Sequence, residues 1–168
     1  MNYSNELANI KNRILKKKNI FFTLILIVVF TLDRISKNKI LNDFNERTYF
    51  VNDFLNLDLI WNIGIGFGFL STDTLLFYNL VTFLIGSVIL ILFYILITSK
   101  SIDNLIYSII VGGACGNFYD RLVYNAVPDF IDLHYNNFHW FTFNVADIFI
   151  TLGILAFIIK GFFVKNLK

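Results

Sequence analysis

Cysteine, proline, methionine and histidine are nearly missing from this chain. Of its 168 residues one is Cys, one is Pro, one is Met and two are His. A single thiol, Cys115, cannot close an internal disulfide, which excludes a disulfide-stapled scaffold. Charge is scarce as well: 15% of residues are Asp, Glu, Lys or Arg, against about 25% in ordinary soluble domains. Together with 57% hydrophobic residues and a mean hydropathy of +0.66, this excludes a disordered chain and an ordinary cytosolic enzyme. What the chain has in quantity is apolar sequence in long unbroken runs, the mark of an integral membrane protein.

Four such runs stand out: Ile20–Leu32, Leu75–Ile97, Leu105–Tyr119 and Phe143–Ile159. A bilayer core about 30 Å thick takes about 20 helical residues. The second run has 23 residues and no charge, whereas the others have 13, 15 and 17, and the last already contains Asp147. To cross, these three must draw polar neighbours toward the hydrocarbon edge. The sequence therefore predicts a single all-α membrane domain over 1–168. It comprises a basic head over 1–18, four transmembrane helices near 19–37, 75–97, 102–120 and 141–160, and outer segments over 38–74 and 121–140. The opening is basic and then apolar, but the run ends in Leu32-Asp33-Arg34 with no small-residue cleavage site, so it is expected to be retained as the first span. No repeat recurs at a fixed period.

Lys and Arg near the span ends set the orientation. The head carries Lys11, Arg13, Lys16, Lys17 and Lys18, the connection between spans two and three Lys100, and the tail Lys160, Lys165 and Lys168. With four spans these regions share one side, where Glu6 and Asp103 are the only acids. Both termini are therefore expected in the cytoplasm.

In the first outer segment, Leu55, Leu57, Leu59 and Trp61 alternate with Asn56, Asp58, Ile60 and Asn62. That near period-2 pattern predicts a short strand, and Gly64, Gly66 and Gly68 after it predict tight backbone approach. The second outer segment holds Pro128. Trp61 and Trp140 suit the headgroup level.

Because the helices alternate in direction, their polar ends meet at one depth, the outer leaflet. Span one brings Asp33, Arg34 and Lys37 there, span three Asn117, Asp120 and Arg121, span four Asn144 and Asp147, and the loop Asp129 and Asp132. Asp33 and Lys37 are four apart, so one helix face can carry both as a pair. Asn117, Asp120 and Arg121 share a face, as do Asn144 and Asp147. Charges within spans usually face protein or a wet cavity. Each group also has an architectural reading: Asp33 with Lys37 as a helix-end ion pair, Arg121 as a clamp on carboxylates and loop carbonyls. Gly112 and Gly116 form a small-residue face for close helix packing.

The chemistry open to such a cluster is narrow. His134 and His139 lack a zinc-ligand pattern, Cys115 has no histidine near it in sequence, and the Gly-x-Ser-x-Gly and phosphate-loop signatures are missing. Carboxylates remain the abundant competent groups. Two facing aspartates retain one proton between them, so the ionised member can take a proton from water while the protonated one polarises a carbonyl. Spacing alone does not choose the pair among the outer aspartates.

Five blocks in order resemble those of the lipoprotein signal peptidase (signal peptidase II) family. They are Leu32-Asp33-Arg34-Ile35-Ser36-Lys37, Asn62-Ile63-Gly64-Ile65-Gly66-Phe67-Gly68, Gly112-Gly113-Ala114-Cys115-Gly116-Asn117-Phe118-Tyr119-Asp120-Arg121, Val127-Pro128-Asp129-Phe130-Ile131-Asp132 and Phe143-Asn144-Val145-Ala146-Asp147. The resemblance implies four transmembrane helices with a small extracytoplasmic β-rich cradle. It implies a catalytic dyad of Asp129 and Asp147, supported by Asp33, Lys37, Asn62, Gly64, Asn117, Arg121 and Asn144, with Asp120 and Asp132 as structural residues. It further implies an aspartic endopeptidase of the bacterial plasma (inner) membrane. Such an enzyme removes signal peptides from diacylglyceryl-modified prolipoproteins, cutting before the lipid-modified cysteine. No metal, cofactor or nucleic acid is implied, and the chain is expected to act as a monomer among membrane lipid. Asn125 stands where glycine is common, Gly66 where alanine is common and Pro128 where valine is frequent. Asn tolerates left-handed backbone, so the turn at Asn125 is expected to survive. Two rival classes remain, a small cation transporter or channel subunit and a structural membrane subunit. The Gly-x-Gly-Asp signature of the presenilin and prepilin-peptidase group is missing.

Overall fold

The computed structural model describes residues 17–43, 48–64, 75–98, 103–136 and 138–165. The basic positions Lys11, Arg13, Lys16, Lys100 and Lys168, and Gly66 and Gly68 of the glycine segment, lie outside them. Among the described residues, four helices and four strands follow in the order α1 (Lys17–Asp43), β1 (Tyr49–Asn52), β2 (Leu55–Asn62), α2 (Leu75–Thr98), α3 (Asp103–Tyr124), β3 (Val127–Tyr135), β4 (Phe138–Phe143) and α4 (Val145–Lys165).

Three of the helices, α1, α2 and α4, are long and apolar enough to cross a membrane. Their exposed faces are Leu, Ile, Val and Phe, for example Leu24, Val28, Phe83, Leu90, Leu155 and Phe162. The expected third span, α3, falls short by composition because its surface is committed to protein. It packs against α1, α2 and α4, and its buried residues include Asn104, Ser108, Gly112, Gly113, Gly116, Asp120 and Arg121. A Cβ at Gly112 would come within 2.8 Å of the Leu26 carbonyl oxygen and Val29 Cβ on α1, and one at Gly113 within 2.7 Å of the Ala146 carbonyl oxygen on α4. The small-residue face read from the sequence is the central seam of the bundle.

One end of the bundle is tied by short polar links. Asn19 Nδ2 donates to the Ile97 carbonyl (3.2 Å) and Asn104 Nδ2 to the Leu96 carbonyl (3.0 Å), so side chains of α1 and α3 satisfy the last carbonyls of α2. Lys160 of α4 pairs with Asp103 of α3 at the same end. The cradle covers the opposite end.

The cradle is an antiparallel sheet in the order β1-β2-β3-β4. The strand expected from the Leu55–Asn62 alternation forms over those same residues, but no clean inside–outside alternation follows: Leu55 through Leu59 are all half-buried. The register slips between Leu57 and Ile60, and a bulge of this kind breaks the simple two-face pattern. β3 is buried over Val127–Phe130. Asn125, just before it, holds φ 54°, so the asparagine keeps the left-handed turn as expected. α4 begins at Val145, later than the expected edge at 141, because Phe141 and Phe143 belong to β4. α1 runs on past 37 to Asp43, with Lys37 and Ile40 still buried.

Candidate active site

Span one contributes a buried charge pair. Lys37 is fully buried, and Nζ donates to Asp33 Oδ2 (2.8 Å) and Asn117 Oδ1 (2.7 Å) and lies 2.7 Å from Asp120 Oδ2. Asp33 and Asn117 accept two of the ammonium protons, and Asp120 contributes its charge at ion-pair distance. Asp120 also pairs with Arg34, so two acids and two bases balance where an unpaired charge would cost several kcal/mol. Asp33 Oδ1 accepts the Ala146 N–H at 3.0 Å, one of the unsatisfied donors of the first turn of α4. Gly116 makes room for this carboxylate, since a Cβ there would run into it. The i,i+4 pairing read from the sequence thus holds, and the pair also pins α1 to α3 and α4.

The junction of β4 and α4 is a reciprocal cap. Asn144 Oδ1 accepts the Asp147 N–H at 3.0 Å, and Asp147 Oδ2 accepts the Asn144 N–H at 3.1 Å, the pattern of a capping box with Asn as the cap and Asp three residues on. The same asparagine donates Nδ2 to Asp129 Oδ1 at 2.6 Å. Its two nitrogens therefore hold both carboxylates, one by the backbone and one by the side chain. Asn62 Nδ2 completes Asp129 by donating to Oδ2 at 2.8 Å, and Asn117 Nδ2 completes Asp147 by donating to Oδ1 at 2.8 Å.

Asn62 is fixed in turn, because its Oδ1 accepts the Gly64 N–H at 2.9 Å. The Gly64 carbonyl accepts from Arg121, whose guanidinium lies 5.6 Å above the Tyr78 ring. Arg121 therefore clamps a loop carbonyl and diverges from Asp120, which faces α1. All nine expected site residues enter this one network. Asn62, Asn117, Arg121, Asp129 and Asp147 line a groove of about 280 Å³ whose apolar wall includes Ile85, Ala114 and Ile150. Asp147 also borders an apolar groove of about 260 Å³ between Phe143 and Leu152.

Burial pushes the Asp129 carboxyl up from 3.8 to about 6, with the Asp147 charge adding to it, against the opposing hydrogen bonds of Asn62 and Asn144. A buried acid beside a second acid, in a groove, is the setting in which a carboxyl keeps a proton near neutrality.

The sequence reading left out Arg34 as the partner of Asp120, the Ala146 N–H, and Tyr78 beneath Arg121. Arg34 stood beside Asp33 in plain view, but nothing in spacing links it to a residue 86 positions away. Among the described residues, no group of three or more His, Cys, Asp or Glu side chains is placed to hold a metal ion.

The sequence profile described as Signal peptidase (SPase) II matches residues 25–163. The lipoprotein signal peptidase of Pelagibacter ubique is 48% identical over 155 residues, covering 90% of this chain and 93% of its own. That of Anaplasma phagocytophilum is 43% identical over 147 residues, covering 84% and 92%. A bacterial membrane enzyme solved by the in meso method superposes with a TM-score of 0.74 at 28% identity, over 88% of this chain and 91% of its own. With two carboxylates held by one asparagine, membrane-length helices and these relatives together, the chain belongs to the signal peptidase II family of aspartic-type membrane peptidases.

Proposed function

We propose that this enzyme removes the signal peptide from diacylglyceryl-modified prolipoproteins, cutting before the lipid-bearing cysteine, with Asp129 and Asp147 activating water. The observation that carries the reading is the double grip of Asn144, which bonds both carboxylates at 2.6 and 3.1 Å and sets their separation. Asp147 takes a proton from water as its oxygen attacks the scissile carbonyl carbon. Asp129, whose carboxyl holds its proton up to about pH 6, donates a hydrogen bond to the carbonyl oxygen. Substrate filling the groove displaces water and raises that carboxyl further. The proton then passes to the leaving nitrogen, the C–N bond breaks, and the lipid-modified cysteine is left with a free amine.

The remaining site residues hold this geometry. Asp33 and Lys37 anchor Ala146 and Asn117, and Asn62 with Gly64 and Arg121 orients Asp129 and the substrate backbone. The apolar groove beside Asp147 suits an acyl chain lying along α4, which holds the scissile bond in place. The four helices all cross the bilayer, α3 within the bundle. Both termini lie in the cytoplasm and the dyad at the outer leaflet. The basic residues Lys17, Lys18 and Lys160 at the end away from the cradle support that orientation. The 1–168 chain acts as one domain, as a monomer in the bacterial plasma membrane, with no metal, organic cofactor or nucleic acid.

The test is incubation of purified protein in liposomes with a diacylglyceryl-modified precursor, with the products weighed by mass spectrometry. The expected products are a signal peptide with a free carboxylate and a protein beginning at the lipid-modified cysteine. An intact precursor, with cation flux through the same liposomes, would favour a transporter and overturn the reading.

A further inference from the structure

The hairpin β3–β4 connects the two carboxylates: Asp129 lies on β3, and Asn144 and Asp147 follow directly after β4. Its register is Ile131 opposite Phe143, Asp132 opposite Thr142 and Leu133 opposite Phe141, then shifts to His134 opposite His139. β4 therefore carries one extra residue, Trp140, at a bulge. Residues opposite one another share a sheet face, as do residues two apart, so Asp132, His134, His139 and Thr142 lie on one face while Asp129 lies on the other. Across the bulge on that face, His139 Nδ1 meets Asp132 Oδ2 at 2.7 Å, diagonally between the two registers. The His134 ring stacks on His139 with centroids 5.4 Å apart, and its Nδ1 lies 3.8 Å from the same carboxylate oxygen.

We infer that the Asp132–His139 bond fixes the bulge at Trp140 and thereby sets the spacing of the dyad, making Asp132 and His139 positioning residues for cleavage. A one-residue slip of β4 along β3 displaces Asn144, which follows directly after the strand, by about 3.3 Å, out of hydrogen-bond reach of Asp129. Neither residue touches the groove, so their effect is transmitted only through the backbone. This rests on the dyad reading above.

The side chain of His139 is 58% exposed, so its replacement leaves the buried core intact. His139→Phe keeps a ring against His134 and removes the donor, whereas His139→Asn keeps a donor where Nδ1 stood. His139→Ala repeats the first test without the ring. Cleavage of the lipid-modified precursor, per folded enzyme, is expected to show kcat lowered about ten- to a hundredfold in His139→Phe and His139→Ala. KM should change less than about twofold and His139→Asn should stay within about threefold of the parent protein. An unchanged kcat in the donor-less variants, or an equal loss in His139→Asn, overturns the proposal. Asp129→Asn is measured beside them. If it stays active the dyad reading falls and this inference with it, whereas an inactive Asp129→Asn with an unimpaired His139→Phe overturns the inference alone.

Discussion

Replacing Asp129 by Asn separates two effects that pull in opposite directions. The Asp129 carboxyl is raised from 3.8 to about 6, by burial first and by the Asp147 charge second, so ionising it costs about 3 kcal/mol more in the folded protein than in the unfolded chain. A carboxyl raised on folding favours the folded state while protonated. Its contribution is fully present below pH 3.8, declines as pH rises through about 6, and is lost above that. Asp129→Asn abolishes this titration. It also turns an amide nitrogen toward Asn62 Nδ2 or Asn144 Nδ2, which now both donate to the carboxylate, at a cost of about 1–3 kcal/mol at every pH. The constant cost cancels when two pH values are compared. Between pH 4 and pH 8 the stability of the variant relative to the parent protein should therefore improve by about 2.5 kcal/mol, since the unfolded carboxyl is already partly ionised at pH 4. Equilibrium unfolding in mixed micelles, followed by the fluorescence of Trp61 and Trp140, measures it. A difference that stays flat from pH 4 to pH 8 would refute the argument that burial and Asp147 hold this carboxyl protonated.

The same causes fix how the carboxyl responds to its neighbours. Asp147→Asn removes the like charge and should lower the Asp129 pKa from about 6, whereas Asn62→Ala removes a donor to the ionised form and should raise it; infrared titration of the carboxyl stretch reads both, and shifts of the opposite sign would contradict the assignment. Lys37→Met leaves the buried acids Asp33 and Asp120 without a shared cation and should destabilise the protein by about 3–5 kcal/mol in the same unfolding assay; a loss below about 1 kcal/mol would show the cluster to be solvated. Gly113→Ala sets a Cβ 2.7 Å from the Ala146 carbonyl oxygen and should cost about 1–3 kcal/mol. Gly161→Ala meets open space and should be neutral or stabilising by up to about 1 kcal/mol; equal effects at the two sites would remove the packing argument.

Local spacing carried much of this site. Asp33 and Lys37, one helical turn apart, do form a pair. Asn144 and Asp147, three apart, cap one another, and the alternation over Leu55–Asn62 is a strand. The hairpin β3–β4 was hard to read because Val127–Phe130 is buried without a break, and the alternation that follows over Ile131–Tyr135 buries its polar members, Asp132 and His134, the reverse of an ordinary half-exposed strand. Nor did hydropathy reveal α3 as the central helix. Its polar and small residues lower its apolar score for the same reason that they suit it to the middle of the bundle. Which acids pair was beyond spacing altogether. Asp129 and Asp147 come together through a hairpin turn and one shared asparagine, and Asp120, nearer to Asp129 in sequence than Asp147 is, pairs instead with Arg34 and Lys37. The family resemblance selects the pair in the sequence, and in the structure Asn144 bonds both carboxylates.

Water activation by two acids is tested most directly by the cleavage rate of a diacylglyceryl-modified precursor with Asp129→Asn and Asp147→Asn, each shown to be folded by its unfolding curve. Removing either the acid or the base should lower kcat by at least about a hundredfold. A folded variant of either kind that cleaves at the parent rate would contradict the account.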